Sequence, residues 1–223
     1  MAEAPGGSGT PSWALTNPGN RAARAELTAA LLNAAAPEIG GNGALLDCGC
    51  GSGWLLEALA GAGVEPGRLH GVDSDPGRVE AARRRVPAAK VTRADAASLP
   101  FPDGAFAAAF FVVSLSSMGP ATAVRQALSE GRRVLAPGGA LVIYEPRLAN
   151  PFNRATRRLR RADLRATGLR PAESRTLTLF PPLGRRLGPL TDRLHPALSR
   201  LPPLRSHRLV VCCPTGGRSS LAA

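Results

Sequence analysis

Ala44-Leu45-Leu46-Asp47-Cys48-Gly49-Cys50-Gly51-Ser52-Gly53 is the stretch whose reading decides the fold. A short apolar run ends in three glycines at alternate positions, and Trp54 through Ala60 then follows a helical pattern. Strand, glycine turn and helix make the first half of a βαβ unit. Glycine lacks a Cβ, so such a turn can bring bare backbone close to a ligand at a helix start. The next apolar run, Leu69 to Val72, ends at Asp73, twenty positions after Gly53. A carboxylate there can accept hydrogen bonds from ribose hydroxyls.

The glycine spacing discriminates between ligands. A dinucleotide site shows G-x-G-x-x-G. Here the third glycine arrives one place early, and Trp54 stands where that pattern takes a small residue.

Outward from this stretch, Asn20 can cap a helix running to about Ala35, with Ala23, Leu27, Ala30 and Leu31 on one face. That helix is expected beside the mouth of the site. Strands are predicted over Ala44 to Cys48, Leu69 to Val72, Lys90 to Arg93, Phe106 to Val113 and Ala140 to Tyr144. Helices are predicted from Trp54 to near Gly61, over Gly77 to Arg85, and over Ala121 to Leu135, with Pro137-Gly138-Gly139 as a turn. The fourth strand is almost wholly apolar, as a strand covered on both faces should be. This alternation indicates a doubly wound, mostly parallel α/β sheet. Ligands in such sheets sit beyond the carboxyl ends of the strands. Asp47, Asp73, Asp95, Ser114 and Glu145 all fall at or just past those ends.

After Pro146 an arginine-rich helix is predicted over Asn153 to Leu169, and Arg175 to Phe180 and Arg208 to Cys213 read as a final antiparallel pair. The sheet then has seven strands, with an antiparallel last strand. Leu183, Leu187, Leu190, Leu194, Leu198 and Leu201 recur at spacings of three and four, interrupted by Pro189 and Pro196. This stripe is expected to form a cap over the open site. The organisation is thus a tail at 1–19, a ligand-binding core at 20–146, a basic, leucine-striped completion of the sheet at 147–214, and a tail at 215–223.

Charge divides along the same boundary. Met1 to Pro146 holds 12 basic and 13 acidic residues, whereas Arg147 to Arg208 holds 15 arginines against Asp163, Glu173 and Asp192. The net +12 therefore sits in the C-terminal third, where it can meet phosphate, an anionic lipid surface or nucleic acid. The same excess also follows from an arginine-heavy composition in which Lys90 is the only lysine. No apolar run approaches the roughly 20 residues of a bilayer span, and Met1 to Pro11 does not read as a secretory signal. Cys48, Cys50, Cys212 and Cys213 match neither a disulfide framework nor a C-x-x-C metal pattern. They are expected as buried thiols in a cytoplasmic protein, and no metal site is expected.

Four blocks together carry a family resemblance. They are Leu45 to Gly53, Gly71-Val72-Asp73-Ser74, Asp95-Ala96 with Leu99-Pro100-Phe101-Pro102-Asp103-Gly104-Ala105-Phe106, and Arg133-Val134-Leu135-Ala136-Pro137-Gly138-Gly139. In this order they resemble the class I S-adenosylmethionine-dependent methyltransferases, specifically the small-molecule, type-11 group. The resemblance spans about Ala44 to Pro146 and implies a Rossmann-like fold with S-adenosylmethionine as cofactor. It implies that Asp47 and the backbone of Gly49, Cys50 and Gly51, in the turn closed by Gly53, hold the methionyl end. Asp73, followed by Ser74, would hold the ribose, and Asp95 and Ala96 the adenine. Two positions depart from the family. Ala107 stands where an Asp is usual, and Ser117 aligns where a His is frequent.

Glu145 is the best-placed carboxylate to act as base or to orient substrate, with Ser114, Ser117 and Arg147 on the substrate side. His70, His195 and His207 read as structural. The expected partner is a small-molecule acceptor, lipid-like or anionic, with weak contact to an anionic membrane surface; the oligomeric state is left open. An RNA methyltransferase is the rival reading, and nucleic acid is the less expected partner. The basic third offers only Phe152 and Phe180 as stacking aromatics, and Ser114-Leu115-Ser116-Ser117 lacks the motif of base amino methylases. A non-catalytic S-adenosylmethionine-binding protein is the third.

Overall fold

Gly49, Gly51 and Gly53 all adopt positive φ, at 79°, 54° and 81°. The alternate glycines are therefore a backbone requirement, because L-residues with a Cβ rarely enter this region. The computed structural model describes residues 14–147 and 158–214. The elements in order are α1 (Pro18–Ala34), α2 (Ala36–Gly40), β1 (Ala44–Cys48), α3 (Trp54–Gly61), β2 (Leu69–Asp73), α4 (Pro76–Arg85), β3 (Lys90–Arg93) and β4 (Phe106–Val112). They continue with α5 (Ala121–Arg133), β5 (Leu135–Pro146), α6 (Arg161–Ala166), β6 (Leu169–Leu179), α7 (Pro181–Arg186), α8 (Thr191–Leu198) and β7 (Arg205–Pro214).

One seven-stranded sheet has the order β3-β2-β1-β4-β5-β7-β6. The first five strands pair in parallel, and β7 runs antiparallel to both β5 and β6. The expected doubly wound α/β sheet with an antiparallel last strand is therefore the observed one. The apolar run of β4 behaves as a doubly covered strand. Ala108, Phe110 and Val112 enter the core beneath α1, α3 and α4, while Phe106, Ala109 and Phe111 enter the core beneath α5 and α6. Burying each phenylalanine stabilises the fold by about 1.5–3 kcal/mol.

Several boundaries differ from expectation for identifiable reasons. Asn17, not Asn20, caps α1, because Pro18 is preorganised for the first helical position and Asn17 Oδ1 accepts from the Gly19 and Asn20 amides at 2.9 and 3.3 Å. Asn20 instead donates from its side chain to the Ala14 carbonyl. β5 begins at Leu135, and the expected turn at Pro137-Gly138-Gly139 is an irregularity within the strand, looped out opposite Ala107. Gly139 is held against the Ala107 carbonyl, where a Cβ would lie 2.8 Å away. β6 starts at Leu169, six residues earlier than expected. Among the described residues, the arginine-rich helix is reduced to α6; its expected start at Asn153 lies outside them, as do Phe152, the 215–223 tail and most of the 1–19 tail.

The leucine stripe departs furthest. Pro189 falls in a 3-10 turn after α7, but Pro196 sits inside α8 rather than ending it. The buried residues of α8 are Thr191 and His195, whereas Leu190, Leu194 and Leu201 are 50, 41 and 49% exposed. The cap packs on α1, where Gly19 meets Gly184 so closely that a Cβ would lie 2.1 Å from the Gly184 oxygen. Asn17 also donates to the Arg185 carbonyl at 3.2 Å.

Candidate active site

A cleft of about 830 Å³ opens at the carboxyl ends of β1, β2, β3 and β4. Its floor is the glycine turn. The Gly49 and Cys50 amides donate to the Val72 carbonyl at 2.8 and 2.9 Å, and Gly53 donates to Cys50 at 2.9 Å. The Gly51 amide donates to Asp73 Oδ2 at 2.9 Å, and the Asp75 amide donates to Asp73 Oδ1 at 3.0 Å. The turn thus presents carbonyls and open Cα surface rather than the free amides of Gly49 to Gly51. A Cβ on Gly51 would meet nothing within 4 Å, so the space above it is open to a ligand. A Cβ on Gly49 would lie 2.6 Å from that of Ser114, so this glycine lets β1 and β4 end side by side. Gly71 lies beneath Cys50, whose Sγ would be 2.9 Å from an added Cβ.

Asp73, Ser74, Asp95 and Ala96 line the same cleft as Gly49, Cys50 and Gly51. Asp95 Oδ1 accepts from the Ala97 amide at 2.9 Å, which fixes the carboxylate in the turn after β3. Asp47 and Gly53 stand just behind this lining. Gly53 is in the left-handed region at the start of α3, packed against Ala82 of α4. Asp47 is buried, with Oδ1 lacking a hydrogen-bond partner. Burial, reinforced by the nearby Asp73 carboxylate, pushes its pKa up to about 7.

β4 ends in strain. Val113 has φ 54°, an outlier for a β-branched side chain, held by its amide donating to the Tyr144 carbonyl at 2.8 Å. Such residues cost about 1–3 kcal/mol and persist where surroundings over-determine them. The bend turns Ser114 back toward Gly49, leaving its Oγ buried without a partner, and sets Ser117 and Met118 along the cleft.

Two expected residues are placed elsewhere. Glu145 is buried behind the turn at Leu115–Ser117, where its Oε1 accepts from the Leu115 amide at 2.7 Å and its Oε2 from the Ser116 amide at 3.3 Å. It is not among the cleft-lining residues. Burial, against those hydrogen bonds, pushes its pKa up to about 7. Arg147 is drawn to the base of the cap, donating to the carbonyls of Pro202 and Arg205 at 3.0 and 2.9 Å. Among the described residues, nothing from 158–214 lines the cleft, so the leucine cap stands beside the site rather than over it.

The histidines also lie outside the lining. His70 packs edge-on to Phe101 and Phe106, and His195 is buried in α8. His207 stacks on Tyr144 at 4.8 Å, and burial holds its pKa down to about 4. All four cysteines are buried free thiols, and burial raises the thiol of Cys212 to about 12.

Sequence reading missed the contribution of α1 in detail. Arg24 and Thr28, one turn apart, both line the cleft. The Arg24 guanidinium lies over the Trp54 ring, 4.0 Å from its centroid, and burial followed by the nearby Arg85 cation lowers its pKa. The available signal was the Asn17-Pro18 start, which sets the rotation of the helix.

The methyltransferase-domain family of type 11 matches residues 46–143. No curated protein sequence matches the chain. Among solved structures, the [4+2]-cyclase SpnF is 23% identical with a TM-score of 0.60, covering 84% of this chain and 80% of that one. Geranyl diphosphate C-methyltransferase from Streptomyces coelicolor A3(2), solved with Mg2+, geranyl diphosphate and S-adenosyl-L-homocysteine, is 18% identical with a TM-score of 0.61, covering 82% and 76%. A SAM-dependent methyltransferase from Archaeoglobus fulgidus is 17% identical with a TM-score of 0.60, covering 84% and 93%. These likenesses establish the fold, and the matched segment contains the glycine turn, Asp73, Asp95 and the β4 bend. Residues 46–143 of this chain therefore match a methyltransferase domain of the type-11 group.

Proposed function

We propose that this protein transfers a methyl group from S-adenosylmethionine to a small-molecule acceptor that is already nucleophilic at neutral pH. The observation that carries this reading is the open cradle over Gly51, flanked by Asp73, Asp95 and the unpartnered Asp47 Oδ1. The cofactor supplies an electrophilic methyl carbon on a sulfonium. Each Asp73 oxygen already accepts one backbone amide and keeps a lone pair for a ribose hydroxyl. Asp47 is the counter-charge for the methionyl ammonium. Asp95 and Ala96 take the adenine, and Ser74 closes the ribose side.

Ser114, Ser117 and Met118 form the acceptor side, with the Ser114 hydroxyl free to orient a polar group. No acid or histidine lies among the described residues there, and both Glu145 oxygens hold the Leu115–Ser117 turn. Glu145 therefore positions this wall. The protein contributes alignment and exclusion of water, worth about 7–11 kcal/mol when the reacting atoms are well oriented. An acceptor that needs no base, such as a thiolate or a weakly basic amine that is neutral at pH 7, fits these terms. Calorimetry should give binding of S-adenosylhomocysteine and none of a nicotinamide dinucleotide. Mass spectrometry of an extract supplied with methyl-labelled cofactor should place the label on a thiol or amine. Dinucleotide binding alone, or label confined to RNA, would replace this reading.

The outward leucines favour a peripheral contact with an anionic membrane surface. Leu190, Leu194 and Leu201 share their segment with Arg185, Arg186, Arg193, Arg200 and Arg205, against one acid, Asp192. Apolar side chains among arginines suit the boundary between headgroups and acyl chains. Co-sedimentation with anionic and with neutral vesicles, beside a tRNA gel shift, tests it. Binding to anionic vesicles alone supports the contact, and a tight gel shift without vesicle binding moves RNA to first place.

A further inference from the structure

Among the described residues, the large apolar side chains left exposed are Leu15, Phe180, Leu190, Leu194 and Leu201. The last four belong to the cap and its root. Leu15 is 51% exposed and also lines the cleft, so it stands at the cleft's mouth. Single surface leucines need no explanation, but a set gathered at one end of a molecule marks an interaction surface.

The sheet places them at one end. β7 runs antiparallel to β5, with His207 opposite Pro146, and antiparallel to β6, with Arg205 opposite Leu179. β6 therefore ends, and β7 begins, at the carboxyl edge of the parallel strands, where the cleft also opens. The cap projects from the same edge as the mouth, and α1 joins the two. Thr28 of α1 lies in the cleft wall, whereas Gly19 packs on Gly184 and Asn17 Nδ2 donates to the Arg185 carbonyl at 3.2 Å. Leu15, two residues before Asn17, is fixed at this junction, because Arg21 Nη1 donates to the carbonyls of Leu15 and Thr16 at 3.1 and 3.0 Å. The apolar set thus extends from the cap to the lip of the cleft.

Charge identifies the partner. Arg21, Arg186, Arg193 and Arg200 are exposed among these side chains, and 180–205 holds one acid, Asp192. On an anionic bilayer both kinds of side chain are used: leucines enter the acyl boundary while arginines meet lipid phosphates. A polynucleotide would engage the arginines and leave the leucines in water, and Phe180 is the one aromatic in the set to stack on a base.

We infer that the membrane-contact surface of the cap continues across the mouth of the cleft, so that the docked protein opens its cleft onto the lipid headgroup layer and closes it to bulk water. This rests on the membrane contact proposed for the cap. It gives Leu15 a role as part of the docking face, and it gives the open cleft a means of excluding water that no described cap residue supplies. Molecules reach the docked site along the plane of the bilayer.

Thiol labelling tests the orientation, because all four native cysteines are buried. Leu15→Cys and Leu190→Cys are reacted with a water-soluble maleimide, with and without vesicles of phosphatidylglycerol and phosphatidylcholine. Glu65→Cys, exposed just before β2 on the amino edge of the sheet, is the control. All three positions are exposed, so each variant should keep the fold, which thermal unfolding checks. Vesicles should slow labelling about tenfold or more at positions 15 and 190 and leave it within about twofold at position 65, and raised ionic strength should weaken the protection. In the otherwise native chain, Leu15→Asp should weaken co-sedimentation with the same vesicles about fivefold to tenfold. Protection at 190 without protection at 15 overturns the inference and leaves the cap contact standing. Protection at neither position overturns the cap contact and the inference with it, and equal protection at all three overturns the orientation.

Discussion

The glycine turn with its flanking strand ends and the cap between β6 and β7 are built on opposite rules. Around the turn, each constraint is local. Three alternate glycines take positive φ, Asp73 follows at the next strand end, and Gly49, Cys50, Gly51, Asp73 and Ser74 of the cleft lining belong to those signals themselves. In the cap, the apparent signal is a leucine periodicity, yet Thr191 and His195 face inward while Leu190 and Leu194 face out. A period specifies that one face differs from the other. It does not specify which face meets the core. The difference teaches that backbone-conformation motifs transfer directly into geometry, whereas an amphipathic stripe awaits its partner.

The sharpest way to break this contrast is at the glycines. Gly49→Ala adds a Cβ 2.6 Å from that of Ser114 at φ 79°, and should cost about 3 kcal/mol or more from strain plus overpacking. Gly51→Ala meets open space and should cost only about 1–2 kcal/mol, the left-handed penalty. Denaturant unfolding of both variants measures the gap. Equal costs would mean that the close approach of β1 to Ser114 is unimportant.

Next in size is Asp73→Ala. It removes the acceptor for the Gly51 and Asp75 amides and, in the proposed cofactor site, for the ribose, and should weaken S-adenosylhomocysteine by about 1.5–3 kcal/mol in calorimetry. An unchanged affinity would detach the second strand end from the site.

Titration sharpens the role of Asp47. Its folded pKa of about 7 lies above the unfolded carboxylate value, so the folded state holds its proton longer. Its share of stability is therefore complete at low pH and is lost as pH rises from about 4 to about 7. Cofactor affinity has the opposite sign, because an ammonium prefers the ionised form, and should rise about tenfold from pH 6 to pH 8. Asp47→Asn should flatten both profiles, as followed by thermal unfolding and calorimetry. A persistent affinity slope in the variant would assign the titration to another group.

The smallest effect on stability belongs to the cap. Leu190→Asp with Leu194→Asp should change unfolding by no more than about 0.5 kcal/mol, since both side chains face solvent, yet should abolish sedimentation with anionic vesicles. A large destabilisation would mean that the leucines are core after all.

The legible and illegible parts of the site divide along the same line. Asp73, Asp95, Ala96 and the glycine turn were readable because each belongs to a short run whose spacing sets its place at a strand end. Glu145 was equally readable as a strand-end residue, but its carboxylate turned inward to accept the Leu115 and Ser116 amides. The bend at Val113 leaves those two amides to be satisfied, and no pattern in the sequence announces a β-branched residue at φ 54°. Asn20 was a plausible cap three residues too late because Pro18, compatible with the first turn, lets the helix begin earlier.

From its order of residues alone, this chain specifies the alternation of strands and helices, the doubly covered β4, the glycine turn and the acidic strand ends. Each of these depends on backbone torsion or on side-chain period within a few residues. Tertiary structure alone decided that Arg24 lies on Trp54, that Ser114 meets Gly49, that Glu145 is withdrawn behind its turn, and that the cap rests on α1 through Gly19 and Gly184. Those contacts join residues far apart in the chain, and their geometry is set by how whole elements pack, which no local spacing encodes.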